Sequence, residues 1–110
     1  MNYETVVYET VEDKICRLTL NRPEKLNAMS PQLLAELDAV LDAFEADESA
    51  SVLVIRGAGR AFCAGYDLAA PVGSGGRFTI TEDRWWLRKL VARWQRLWNL
   101  AKPTIAQIHG

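Results

Sequence analysis

The stretch G-A-G-R-A-F-C-A-G-Y-D-L, residues 57–68, holds Gly57, Gly59 and Gly65 close together and sets Tyr66 and Asp67 directly behind the last of them. Glycines this near one another, just after an apolar run, point to backbone geometry with a purpose. Phosphate binding is one candidate. A dinucleotide fingerprint, however, needs a third glycine where Phe62 stands and a capped helix directly behind it, and a P-loop needs G-K-[ST]. The second candidate is an oxyanion site. Gly65 can take dihedrals closed to other residues, so the main-chain amide of Tyr66 can point into a cleft, toward a carbonyl oxygen that gains negative charge during reaction. A plain tight turn has the same spacing, and from these residues alone both readings stand.

Few other residues invite chemistry. His109 is the single histidine and reads as a strand-end residue with local hydrogen bonds rather than a catalytic base. Cys16 and Cys63 lie in apolar contexts without C-x-x-C or histidine spacing, which argues for packed small residues and against a disulfide framework or a zinc site. No metal site is expected.

The elements that must position the glycine stretch follow from periodicity. Residues 3–9 and 15–20, separated by the polar turn Glu12-Asp13-Lys14, read as a hairpin with one wet face. Pro23 makes residues 20–29 an irregular connection, and Ser30-Pro31 is an N-cap followed by proline at the first helical position. Over residues 32–46, Leu33, Leu34, Leu37, Val40, Leu41 and Phe44 recur at three and four, an amphipathic helix. The run S-V-L-V-I-R, residues 51–56, predicts a strand covered on both faces, parallel to its predecessor through a right-handed crossover.

Beyond the glycine stretch, residues 69–81 carry glycines and a proline that predict a mobile loop. Residues 82–101 form a second helix with Leu87, Leu90, Val91, Trp94, Leu97 and Trp98 on one face; Trp94 and Trp98 are expected in the core, and Trp85 falls off the stripe. Lys102-Pro103 stops this helix, and T-I-A-Q-I-H-G begins a strand whose far side is expected to be uncovered, leaving apolar surface exposed.

At 110 residues, 49% hydrophobic and 25% charged, the chain suits one small domain over 1–110. A formal net charge of -1 gives no reason to expect nucleic acid or an anionic membrane as partner, so an anionic ligand must be held by local groups. Without an apolar run of membrane-spanning length or a basic-then-apolar N-terminus, the expected location is the cytoplasm.

Three stretches, L-N-R-P-E-K-L-N-A-M-S (20–30), G-A-G-R-A-F-C-A-G-Y-D-L (57–68) and A-K-P-T-I-A-Q-I-H-G (101–110), resemble the crotonase superfamily of enoyl-CoA hydratases and isomerases, in the family's order and across nearly the whole chain. The resemblance implies an α/β fold of repeated β-β-α units, here the N-terminal part of the crotonase-like spiral, ending before the family's catalytic helix. It implies that the Tyr66 N–H is one of two oxyanion-hole donors, the second lying beyond Gly110. By the same resemblance Lys25 lies near the phosphates or pantetheine of CoA, the backbone of Ala64, Tyr66 and Leu68 lies along the adenine and pantetheine, Gly65 supplies the substrate-binding turn, and Asp67 braces it. Arg22 could equally be structural. Tyr66 stands where the family often has a small or apolar residue, so its ring is expected to narrow the acyl pocket.

The activity implied for the whole protein is hydration of a 2-enoyl-CoA, with acid/base glutamates outside this chain. The CoA thioester is substrate, no separate cofactor is needed, and the assembly is a homotrimer or hexamer. The chain by itself is expected to be inactive. Isomerisation, aromatic acyl-CoA hydration and cleavage, or a non-catalytic acyl-CoA-binding or assembly module remain alternatives, because one oxyanion hole serves many reactions.

Overall fold

A computed structural model describes residues 2–68 and 80–110. Four strands, β1 (Val6–Glu12), β2 (Ile15–Leu20), β3 (Val52–Gly57) and β4 (Thr104–Gln107), form one sheet in the order β1-β2-β3-β4. The first pair is an antiparallel hairpin, turned at Lys14 with φ 66°. The other two pairings are parallel, with Ile15 opposite Val52, Leu20 opposite Gly57, and Leu53 opposite Thr104. Helix α1 (Pro31–Ala46) makes the first crossover and α2 (Ile80–Trp98) lies within the second. Because β2, β3 and β4 run the same way, the segments after Leu20, Gly57 and Gln107 all leave the sheet at one end. Carboxyl ends of parallel strands are where α/β sheets build sites.

Helix α1 begins as its sequence dictates. Ser30 accepts from the Leu33 N–H at 3.1 Å and Pro31 occupies the first turn, where its missing donor is no loss. Leu33, Leu37, Val40, Leu41 and Phe44 then bury against Val6, Cys16, Leu18, Leu20, Leu53 and Ile55. At the other end the Lys102 ammonium donates to the carbonyls of Phe44 and Asp47, each at 2.7 Å, so the residue expected to end the second helix also closes the first.

Several expectations need correction. Strand β1 starts at Val6 rather than residue 3, since the N–H groups of Glu4 and Thr5 turn to the Glu36 carboxylate instead of to a neighbouring strand. Strand β3 is not covered on both faces. Leu53 and Ile55 are buried while Val52, Val54 and Arg56 are half-buried, because both helices join the apolar cluster on the Leu53 and Ile55 face. Helix α2 spans Ile80–Trp98, not 82–101, and among the described residues it reaches the core through Trp94 and Leu97, with Leu100 just behind. Trp98, expected in the core, is 89% exposed. Trp85 is exposed too, with the Lys89 ammonium 4.2 Å above its ring. Residues 69–79 of the expected loop lie outside the described residues, and by Ile80 the chain is helical.

Exposed apolar surface is present, at Leu87, Val91, Trp98, Ile105 and Ile108. Among the described residues no helix is long and apolar enough to cross a membrane, and no group of three His, Cys, Asp or Glu side chains is placed to hold a metal.

The Glu36 carboxylate ties the chain start to α1. It accepts from the Thr5 N–H at 2.8 Å, the Thr5 hydroxyl at 2.7 Å, the Glu4 N–H at 3.1 Å and the Gln32 amide at 3.2 Å. Burial opposes its charge, but the hydrogen bonds from Thr5, Glu4 and Gln32 outweigh burial and hold the carboxyl below its ordinary value of 4.5. A depressed folded-state value contributes stability above 4.5 that is lost as pH falls through the lower folded value. Glu36→Gln should therefore be less stable than the parent near neutrality, and the gap between their urea midpoints should narrow as pH falls below the ordinary carboxyl value of 4.5 and through the lower folded one. A gap independent of pH would contradict this.

Candidate functional site

At the carboxyl end of the sheet two loops, residues 21–29 and 58–68, fold against each other. The first makes a 3-10 turn over Pro23–Lys25 and then places Leu26 and Asn27 at φ 52° and 57°. Asparagine tolerates this left-handed region better than most residues. Asn27 is wholly buried and acts as a clamp. Its amide nitrogen donates to the carbonyls of Ala58 and Ala61, both at 2.9 Å, and its amide oxygen accepts from the Arg22 N–H at 2.8 Å. Gly57 is a glycine for this reason: a Cβ there would stand 2.7 Å from the Ala61 carbonyl oxygen and 2.8 Å from Asn27 Nδ2.

Main-chain pairing continues along both loops. The Ala64 N–H donates to Leu26 O at 2.9 Å, the Met29 N–H to Gly65 O at 2.8 Å, and the Asp67 N–H to Met29 O at 3.1 Å. Cys63 is more than packing, since its thiol donates to Asn27 O at 3.2 Å and its sulfur accepts from the Gly65 N–H at 3.4 Å. Cys16 is a core residue, and both cysteines are free. The end of the last strand joins in: the Phe62 N–H donates to His109 O at 3.1 Å, and His109 Nε2 lies 2.9 Å from Gly59 O. The histidine thus hydrogen-bonds locally, as its position suggested.

Tyr66 pairs with Met29 as an isolated parallel bridge. In such a bridge residues 65 and 67 carry both bonds to Met29, so the N–H and C=O of Tyr66 point the opposite way. Nothing among the described residues accepts from the Tyr66 N–H. Gly65 holds φ 104°, and among the described residues no heavy atom lies within 4 Å of where a Cβ would sit.

The other expected site residues divide. The Asp67 carboxylate lies 3.2 Å from Arg22, both side chains are largely buried, and the same guanidinium donates to the Ala28 carbonyl. Arg22 is therefore a structural tie here. Ala64 is exposed and its N–H is already used. Lys25 is exposed on the adjoining 3-10 turn and makes no ion pair among the described residues. Leu68 is 96% exposed.

Two residues of the site went unrecognised in the sequence. Asn27 carried one usable signal, a left-handed-tolerant residue behind a proline turn. Trp94 was assigned to the core, which it joins, yet its indole N–H also donates to the Tyr66 hydroxyl at 2.6 Å. Beside it, Arg93 grips Asp38 through two nitrogens at 2.8 and 2.9 Å. That hydrogen-bonded carboxylate raises the guanidinium's proton affinity against the opposing effect of burial, and the nearby Tyr66 oxygen adds to it.

Residues 10–110 match the family model described as enoyl-CoA hydratase/isomerase. The chain belongs to that family. Its fold is the crotonase fold: 99% of the chain superposes, at a TM-score of 0.88 and 39% identity, on 40% of an enoyl-CoA hydratase/isomerase from Xanthobacter autotrophicus Py2. It is similar to the hydroxycinnamoyl-CoA hydratase-lyase of Pseudomonas fluorescens, 44% identical over 98% of this chain and 39% of the relative. It is also similar to the mitochondrial Delta(3,5)-Delta(2,4)-dienoyl-CoA isomerase of Rattus norvegicus, 32% identical over 99% of this chain and 36% of the relative. The chain thus spans less than half the length of these enoyl-CoA hydratase/isomerase relatives.

Proposed function

We propose that the whole protein adds water to a 2-enoyl-CoA and that the Tyr66 main-chain N–H supplies one donor to the thioester oxygen. The observation that carries this reading is the outward-facing, unclaimed N–H beside a positive-φ glycine at the carboxyl end of a parallel sheet. As water bonds to the β-carbon, the double-bond electrons move to the α-carbon and thioester carbonyl, giving an enolate whose oxygen bears the charge. A fixed N–H already aimed at that oxygen stabilises it without reorganising. Protonation of the α-carbon completes the addition. The carboxylates that move these protons we assign to residues outside this chain.

The loop clamp has a defined part in this reading. Asn27 and the Arg22–Asp67 pair fix the turn, and Lys25 stands free to meet a CoA phosphate as a point charge. CoA arrives as part of the substrate, so no separate cofactor is called for. A cytoplasmic homotrimer or hexamer remains our working picture of the assembly.

Incubation of the whole protein with crotonyl-CoA, with products separated by chromatography, tests the reaction. We expect 3-hydroxybutyryl-CoA. Release of an aromatic aldehyde from a hydroxycinnamoyl thioester, with crotonyl-CoA untouched, would favour the hydratase-lyase reading that the similarity to the Pseudomonas fluorescens enzyme supports. Failure to transform either thioester would overturn the catalytic reading.

A further inference from the structure

We infer that the Tyr66 phenol, held by Trp94, is a specificity-determining group that selects acyl chains bearing an oxygen acceptor over plain hydrocarbon ones. The inference rests on the thioester site proposed above and adds the class of acyl group. Tyr66 presents two polar groups one side chain apart. The first is the outward main-chain N–H. The second is the hydroxyl, which meets Trp94 Nε1 at 2.6 Å on α2.

An indole N–H can only donate, so in this contact the phenol oxygen accepts. The phenol keeps its own proton, and no second partner takes it among the described residues. Trp94 is half-buried against the core, which fixes the donor that orients the phenol. Arg93, the residue before Trp94, is held by Asp38 through two hydrogen bonds, and among the described residues it makes no hydrogen bond to the phenol oxygen.

A phenolic O–H fixed in this way rewards an acceptor on the ligand with a hydrogen bond. Against an acyl group that lacks one, the donor must give up water for nothing. Apolar residues at this position would have no such preference. The tyrosine side chain thereby acquires a function separate from that of its amide.

The test uses the whole protein and a matched pair of thioesters, 4-hydroxycinnamoyl-CoA and cinnamoyl-CoA, which differ by one hydroxyl. The parent should favour the hydroxylated thioester by about tenfold in kcat/KM, the equivalent of one well-placed hydrogen bond. Tyr66→Phe should bring that ratio close to one, and Trp94→Phe should reduce it severalfold by releasing the phenol. A ratio unchanged in both variants, or a parent without preference, would overturn the inference. Should Tyr66→Phe fail to fold, the ratio in Trp94→Phe decides alone. If neither thioester turns over, the same ratio read from dissociation constants by calorimetry decides: a loss of preference in the variants upholds the inference while the hydration reading falls. Absence of binding to both thioesters ends both.

Discussion

Gly65→Val should lower turnover of the whole protein by ~10²- to 10³-fold, the loss typical of removing one oxyanion-hole donor. Among the described residues nothing lies within 4 Å of the added Cβ, so crowding by them is not the cause. The cause is the backbone: φ 104° is closed to a β-branched residue, so the chain must rotate about residue 65. That rotation turns the peptide joining residues 65 and 66, swings the Tyr66 N–H away from its outward direction, and strains the 2.8 Å bond from the Met29 N–H to Gly65 O. Tyr66→Phe leaves every one of these main-chain features in place and should retain most turnover of a short enoyl-CoA. Steady-state kinetics on variants matched by circular dichroism make the comparison. Equal losses in the two variants would place the phenol in the chemistry and refute an amide-only role there.

Asn27→Ala should destabilise the fold by about 3 kcal/mol or more, since truncating a wholly buried side chain with three hydrogen bonds leaves orphaned groups behind. The Arg22 N–H and the Ala58 and Ala61 carbonyls lose their partner together. Alanine also tolerates φ 57° less well than asparagine, which adds to the loss. Asn27→Asp is a sharper probe, because it removes the donor and sets a carboxylate against two carbonyl oxygens while barely changing volume. It should be no more stable than the alanine variant. Urea unfolding provides the measurement, and a cost below about 1 kcal/mol for Asn27→Ala would show that the two loops hold together without the clamp.

Much of the fold was legible because its determinants are local. The Ser30-Pro31 start of α1 and its stripe from Leu33 to Phe44 lie within a few turns of each other, and the hairpin turn at Asp13-Lys14 is marked by its own residues. What failed depended on neighbours distant in sequence. Trp98 sits on the same helical stripe as Trp94, and no periodicity tells which edge of that stripe faces the core: Trp94 and Leu97 pack on it, whereas Leu87, Val91 and Trp98 are exposed. The apolar run of β3 reads as two-sided burial, whereas its two faces differ because both helices settle on one of them.

The site was legible in part for the same reason. Gly65 and Tyr66 announce a turn by themselves, and the open direction of the amide follows from a bridge to Met29 that sequence does not display. Asn27 acts across more than thirty residues on Ala58 and Ala61, and Trp94 reaches Tyr66 from another element. Contacts of this kind are properties of the folded chain, and only the residue types that permit them appear beforehand.

The account's central claim is that the Tyr66 main-chain N–H donates to the thioester oxygen. A crystal structure of the whole protein with a saturated, unreactive acyl-CoA tests it most directly. The predicted result is a Tyr66 nitrogen about 2.7–3.1 Å from that oxygen, with φ at Gly65 still positive. A thioester oxygen bound elsewhere, with the Tyr66 N–H facing solvent or claimed by another protein group, would contradict it.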